Sequence, residues 1–192
     1  VDDGVFGRAA QVEVDLSSNS GFRFSEAAWR TAPGESPAGP ATSPGIGHVD
    51  TVQCLPGAIA RVMALCRRRV LGLAIDDSGG IVRELASGAL GRLGTSFALA
   101  DCAGTLALRG TDARTWDETA GDLRLRRRAA VTAERLAPAP VDAAVEGLAE
   151  SAGCARSGGR PEVGDEEATA DVAVLEAIAE SVEAGRTVDV RR

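Results

Sequence analysis

A chain of 192 residues with a formal net charge of −7 has room for one domain of ordinary size. Its negative field argues against non-specific nucleic-acid binding, which needs a positive one. All 21 basic residues are arginine, so no Schiff base, P-loop lysine or lysine general acid can come from this chain.

No apolar run approaches about 18 residues, so no membrane span is expected. The cysteines at 54, 66, 102 and 154 form no CxxC pair, so no metal site is expected. They read as buried, reduced thiols of a cytoplasmic protein. With no tyrosine, four Phe and two Trp, the core has to be built from Ala, Val, Leu and Ile.

Along the chain, Ala10, Val12, Val14 and Leu16 alternate with Gln11, Glu13 and Asp15, the pattern of a half-buried strand. Residues 17–38 read as a polar loop carrying Phe22, Phe24 and Trp29. These aromatics serve either as pins to the sheet or as pocket walls. From 39 to 55 the spacing turns helical, with Ile46, Val49, Val52 and Leu55 on one stripe. Thr42 or Ser43 is the expected cap, Pro44 suits the first turn, and Pro56-Gly57 is the stop. Residues 58–66 read as a strand. A hairpin about Ser87-Gly88 follows, then strands at 104–110 and within 114–127 with a turn at 119–121. Trp116 falls in a strand as a core or interface residue. The runs Arg67–Arg69 and Arg126–Arg128 read as solvated strand ends rather than phosphate sites.

Residues 129–140 read as a connector, 141–152 as a short helix and 153–164 as a Gly-rich loop that matches no phosphate motif. Asp165–Ala184 is a long helix, with Asp165 as cap, Gly185 just past its end, and an apolar stripe of Val172, Leu175, Ile178 or Ala179, and Val182. The tail 187–190 alternates as a last strand. This order predicts one α+β domain over 1–192, a largely antiparallel open-faced sheet with helices packed on one face. Outward apolar positions in the hairpin predict a homo-oligomer through the bare face.

Three stretches together resemble the C-terminal half of the Gfo/Idh/MocA oxidoreductases. They are "VFGRAAQVEVDL" leading through "WRTAPGESPAGPATSPGIGHVDTVQCLPGAIARV", then "DDSGGIVRELASGALGRLGTS" with "LRGTDARTW", and finally "VLEAIAESVEAGRTVDV". The resemblance implies a partner Rossmann domain that binds NAD or NADP. It also implies a C-terminal domain that shapes the pocket of a small-molecule substrate. No Rossmann domain is legible in this chain, since no GxGxxG follows a strand, and the chain starts about where the family's second domain starts.

The family's active-site helix carries Asp, then Gly two residues on, His two further, and Asp three beyond. With Gly45 on the family glycine, Ser43 takes the first Asp position, Gly47 the His position and Asp50 the last Asp. In the family, the first Asp and the His share one helix face and serve the proton that accompanies hydride transfer. Both are absent here. His48, the chain's only histidine, is one residue or about 100° away, a weak catalytic candidate. Trp29, Arg30 and Asp50 match the family's substrate-side positions, with Arg30 a possible bidentate donor.

The reading is therefore a C-terminal substrate-binding half of an NAD(P)-dependent oxidoreductase acting on a sugar, polyol or related hydroxy compound. It is expected to be inactive by itself. The alternative is a stand-alone, non-catalytic binding or scaffold domain. A small ligand-binding α+β dimer unrelated to dehydrogenases is a third reading.

Overall fold

Val12 and Val14 are buried while Glu13 and Asp15 between them stay half-buried, so the alternation read in the first strand sets an inside and an outside. A computed structural model of the chain describes residues 4–25, 28–117 and 122–191. The strands are β1 (Ala9–Ser17), β2 (Ile59–Arg67), β3 (Ser78–Leu85), β4 (Leu90–Ser96), β5 (Ala103–Gly110), β6 (Ala113–Asp117), β7 (Leu123–Arg127), β8 (Glu134–Leu136) and β9 (Val188–Asp189). They form one sheet in the order β8-β7-β6-β5-β1-β4-β3-β2-β9. Among the described residues only β1 and β4 run parallel, and the other pairs are antiparallel. The expected turn at 119–121 lies outside the described residues.

Helices α1 (Ile46–Cys54) and α3 (Asp165–Ala184) cover one face. Beneath them Val12, Val14, Val62, Ala64, Ile81, Leu85 and Leu93 join Val49, Val52, Val174 and Ile178 in the core. Each of these valine, leucine and isoleucine side chains contributes roughly 1.5–3 kcal/mol on burial. Between these two helices in the chain's second half lies α2 (Ala143–Ser157), capped by the Asp142 carboxylate, with none of its residues buried. It runs five residues beyond the predicted helix, into what read as a Gly-rich loop. The predicted connector 129–140 contains β8, too short and too polar to show period two.

Several expected details differ. Thr42 Oγ1 accepts from Ala38 N at 3.2 Å and so closes the preceding turn. The first helical residue of α1 is Ile46, and no side chain caps it. Likewise α3 is entered from Gly164, whose N–H donates to Glu167 Oε2 at 2.8 Å, and Asp165 is already inside the helix.

The buried stripe of α3 is Asp171, Val174, Leu175, Ala177, Ile178 and Ser181, while Val172 is exposed. Two polar residues sit in the stripe because each has a partner across the packing. Gln53 Nε2 donates to Asp171 Oδ1 at 2.8 Å. Ser181 Oγ accepts from Ala64 N at 3.0 Å, just beyond where β9 stops pairing with β2, and donates to Arg186 O. Only Cys66 is a buried thiol; Cys54 and Cys102 are exposed, and all four cysteines are free. Burial, with Asp76 nearby, pushes the Cys66 thiol up to about 11.

The β2–β3 connection is held by a fully buried carboxylate. Asp77 Oδ2 accepts from Arg69, Val70 and Leu71 N at 3.0, 2.7 and 2.8 Å, and Oδ1 accepts from Ser78 Oγ at 3.1 Å. Burial works against ionisation, but the backbone donors win and hold this carboxyl below its ordinary range. The stability it contributes is therefore fully present above the unfolded carboxylate pKa of about 3.9. It is lost as pH falls through the lower folded value. Asp77→Asn should lower unfolding free energy at pH 7 by about 1.5–3 kcal/mol and flatten the acid limb of stability. Urea titrations at several pH values would show an unchanged acid limb if Asp77 has no such role.

Candidate ligand site

Where β1 ends, Ser18 N donates to Ser96 O at 2.8 Å and Gly21 N donates to Phe97 O at 3.1 Å, tying the following loop to the end of β4. The Ser18 and Ser20 hydroxyls are 2.8 Å apart. Phe24 meets Phe97 edge to face with ring centroids 5.2 Å apart. Phe24 is thus both a pin and a wall, whereas Phe22 and Trp29 are exposed. Short 3-10 turns at Ser20–Arg23, Trp29–Thr31 and Gly39–Ala41 fold the segment back on itself. Gly39, at φ +54, lies so close to Asp76 that a Cβ would stand 2.6 Å from its carbonyl oxygen. A side chain at Gly45 would collide with the Ala41 backbone.

These elements enclose a cleft of about 470 Å³ lined by Ser17, Ser18, Ser20, Phe24, Arg30 and Ser43, among others. Its floor is aromatic and most of its lining apolar, with serine hydroxyls and one guanidinium at the wall, an arrangement suited to a small ligand that presents both carbon and oxygen surface. Arg30 stacks over the Trp29 ring at 4.3 Å, which limits the rotamers it must lose on binding.

The sequence-predicted residues are not all brought together. Arg30 and Ser43 line this cleft, with Trp29 beside them under Arg30. Asp50 lies in a second groove of about 450 Å³ between α1 and α3, with Gln53, Cys54, Glu166, Glu167 and Asp171. There the Asp171 carboxyl is pushed up, first by burial and then by Asp50, against the Gln53 hydrogen bond. Gly47 is exposed, with open space where a Cβ would be. His48 lines neither groove. It is half-buried, and burial together with the Arg83 cation lowers its pKa.

Arg83 has no sequence signal beyond being the charged residue in an alternating strand. It lies on the covered face between Ile81 and Leu85 and is 2% exposed. Nη2 donates to Arg92 O at 3.3 Å, while Nε and Nη1 have no partner. Burial pushes this guanidinium down to about 10.

The residues present do not form a dinucleotide cradle. A pyrophosphate needs an open helix N-terminus behind a strand. Here α2 is capped by Asp142, and α3 is closed by Glu167, one of three acidic residues in its first turn. Before α1, Gly45 N is spent on Pro40 O. Among the described residues, no group of His, Cys, Asp and Glu could hold a metal ion, and no helix is long and apolar enough to cross a membrane.

The fold, one largely antiparallel sheet with helices on one face, is that of a single domain found within larger oxidoreductase structures. Solved structures of whole enzymes contain this domain. The chain matches a protein provisionally described as an NADPH-dependent oxidoreductase from Desulfitobacterium hafniense DCB-2, with TM-score 0.90 and 25% identity over 99% of this chain and 59% of that one. It also matches levoglucosan dehydrogenase in complex with NADH, with TM-score 0.87 and 15% identity over 100% and 61%. A third match is the aldose-aldose oxidoreductase of Caulobacter crescentus complexed with glycerol, with TM-score 0.83 and 20% identity over 98% and 57%. The chain thus spans about three fifths of the length of these structures. No curated protein sequence matches it. The model of the GFO/IDH/MocA C-terminal domain matches residues 1–115, and the chain belongs to that family.

The pairing of His48 with Arg83 can be tested directly because the chain has one histidine. Its NMR titration should have a midpoint below the ordinary value of about 6.5. Folding then favours the neutral imidazole, and the stability this gives is lost as pH falls from that value through the lower folded one. Arg83→Met should move the midpoint upward, though not to the ordinary value, since burial remains. Removing a buried cation with two unpartnered nitrogens should leave stability unchanged or raise it by about 1–3 kcal/mol. A midpoint indifferent to Arg83→Met would show that the two do not interact.

Proposed function

We propose that this chain, as one domain over 1–192, is the substrate-binding half of an NAD(P)-dependent oxidoreductase acting on a sugar, polyol or related hydroxy compound. The observation that carries this reading is the cleft in which Ser17, Ser18, Ser20, Ser43 and Arg30 converge over Phe24 and Phe97. Hydroxyls that both donate and accept, beside a stacked guanidinium, suit a polyhydroxylated ligand. Family membership and the sugar-related names of two structural neighbours support the same substrate class.

The cofactor is NAD or NADP held by another domain in this reading, since the N-termini of α2 and α3 are capped and α1 is entered from a 3-10 turn rather than from a glycine-rich strand-to-helix turn. In this reading the chain's own residues bind and orient the substrate and exclude water from it. Ser43 and Gly47 stand where the family's Asp and His are expected, so neither supplies a proton. The same two residues favour the alternative, a non-catalytic binding or scaffold domain. Exposed cysteines left free fit a reducing, cytoplasmic setting.

Saturation-transfer NMR against a panel of sugars and polyols should find binders with millimolar Kd. Arg30→Gln should weaken them about tenfold, the loss of one charged hydrogen bond, and Ser43→Ala less. The chain alone should neither bind NADH nor turn over with NAD(P). Absence of any sugar or polyol binder would sink the substrate class. Turnover abolished by His48→Ala would overturn the assignment of chemistry elsewhere.

A homo-oligomer through the bare sheet face belongs to the same proposal. Met63, Leu65, Val82 and Leu90 are exposed there on adjacent strands, an apolar patch that favours a partner. Light scattering at micromolar concentration should show at least a dimer, with Val82→Asp shifting it to monomer. A wild-type monomer would count against the interface.

A further inference from the structure

Three arginines stand side by side on the bare face. Arg109 of β5 is opposite Arg114 of β6, which is opposite Arg126 of β7. Like charges in direct cross-strand register destabilise a sheet unless something neutralises them. They border a cleft of about 280 Å³ at the β5–β6 turn, which Arg127, Arg128 and Asp112 also line.

Three of the five arginines have carboxylate partners. Arg109 pairs with Glu13 at 2.7 Å, Arg127 with Glu134 at 3.2 Å and Arg128 with Asp112 at 3.2 Å. Arg114 and Arg126 have no ion-pair partner among the described residues. Arg114 is held over the Trp116 ring at 4.5 Å, and its Nε is buried without a hydrogen-bond partner. The run Arg126–Arg128, read in the sequence as a solvated strand end, is thus divided. Two of its arginines are satisfied locally and the third joins the cross-strand row.

We propose that this cleft binds the phosphate group of a small soluble ligand. Two uncompensated guanidinium groups match the charge of one phosphate dianion, and their planar forks match its oxygens. The one lining carboxylate, Asp112, is already engaged by Arg128. The volume admits a phosphate monoester. The cleft lies at the opposite end of β5 from the hydroxyl-lined one, about 20 Å along the strand. Its occupancy therefore stands or falls independently of the substrate reading.

Calorimetry and thermal denaturation of the chain would be run with inorganic phosphate, glycerol 3-phosphate and chloride at matched ionic strength, since bare screening affects all charges alike. Vesicles containing phosphatidate form a further arm. Phosphate and glycerol 3-phosphate should bind with millimolar Kd or better and raise Tm where chloride does not. Arg114→Gln and Arg126→Gln should each weaken binding at least tenfold, with Arg156→Gln, on α2, unchanged. Arg126 is exposed, so its variant keeps the test meaningful if the Arg114 variant does not fold. The proposal is overturned if soluble phosphates show no effect beyond chloride, or if Arg126→Gln binds phosphate as the parent does. It is also overturned if only vesicles bind, or if Arg126→Gln alters the oligomeric state and leaves phosphate affinity untouched.

Discussion

The ligand cleft depends on one buried carboxylate that is not part of it. Asp77 collects three backbone N–H groups from the β2–β3 connection. Its own N–H donates to Arg67 O, and its carbonyl accepts from Phe97 N and Ser96 Oγ. Phe97 is the cleft floor and the ring on which Phe24 rests. Leu71, fixed by Asp77, lies against Gly21, and Asp76 is the surface that Gly39 approaches. The 17–44 excursion has little regular structure of its own, so it takes its shape from this support. A carboxylate suits the position because it only accepts, through about four lone-pair directions. An amide would present donors to a neighbourhood that is itself donating.

The second constraint is rotational. Val49 and Val52 anchor α1 on the sheet, and that fixes every other residue of the helix. Gly47 is turned to solvent, and Asp50 is turned towards α3. His48 is turned partly inward, within the field of Arg83. A histidine at 47 would have room, but the histidine present is about a third of a turn away, where burial and the buried Arg83 cation lower its pKa.

Much of the fold was legible because alternation and helical period report burial directly. Strands β1, β2 and β5 and helix α3 lie within about a residue of where the pattern puts them, and the β3–β4 hairpin turns at Ser87-Gly88 as expected, whereas α1 begins only at Ile46 because the start of the expected 39–55 helix is a separate 3-10 turn. What was missed follows from partners distant in sequence. Asp171 and Ser181 interrupt the apolar stripe of α3, and nothing local announces that Gln53 and the Ala64 N–H will meet them. Thr42 and Asp165 are good cap residues by type, yet a competing donor, the Ala38 N–H, takes the Thr42 hydroxyl, and the Glu167 return bond to Gly164 N closes α3 instead. In the cleft, Arg30 and Ser43 were found by resemblance. The serines at 17, 18 and 20 read only as loop polarity, because their convergence requires the loop to fold back on β4. Nothing in the sequence signals the burial of Arg83, since burying an unpaired guanidinium is costly.

The bare face carries two kinds of surface, and their order along the sheet matters. The apolar positions lie on β2, β3 and β4, whereas the arginine row lies on β5, β6 and β7, with β1 between them. A two-fold axis over the apolar strands would bring β2–β4 of two copies together. Arg114 on β6 stands four strand spacings from Val82 on β3, about 19 Å at the usual separation, so such a dimer would leave both arginine clefts at its outer edges. An axis over β5 or β6 would instead oppose two arginine rows, and repulsion between them would disfavour it unless anions were trapped between the copies. If the chain pairs through this face, the distribution of charge along the sheet favours the axis over the apolar strands, and the proposed anion site would then stay open to solvent.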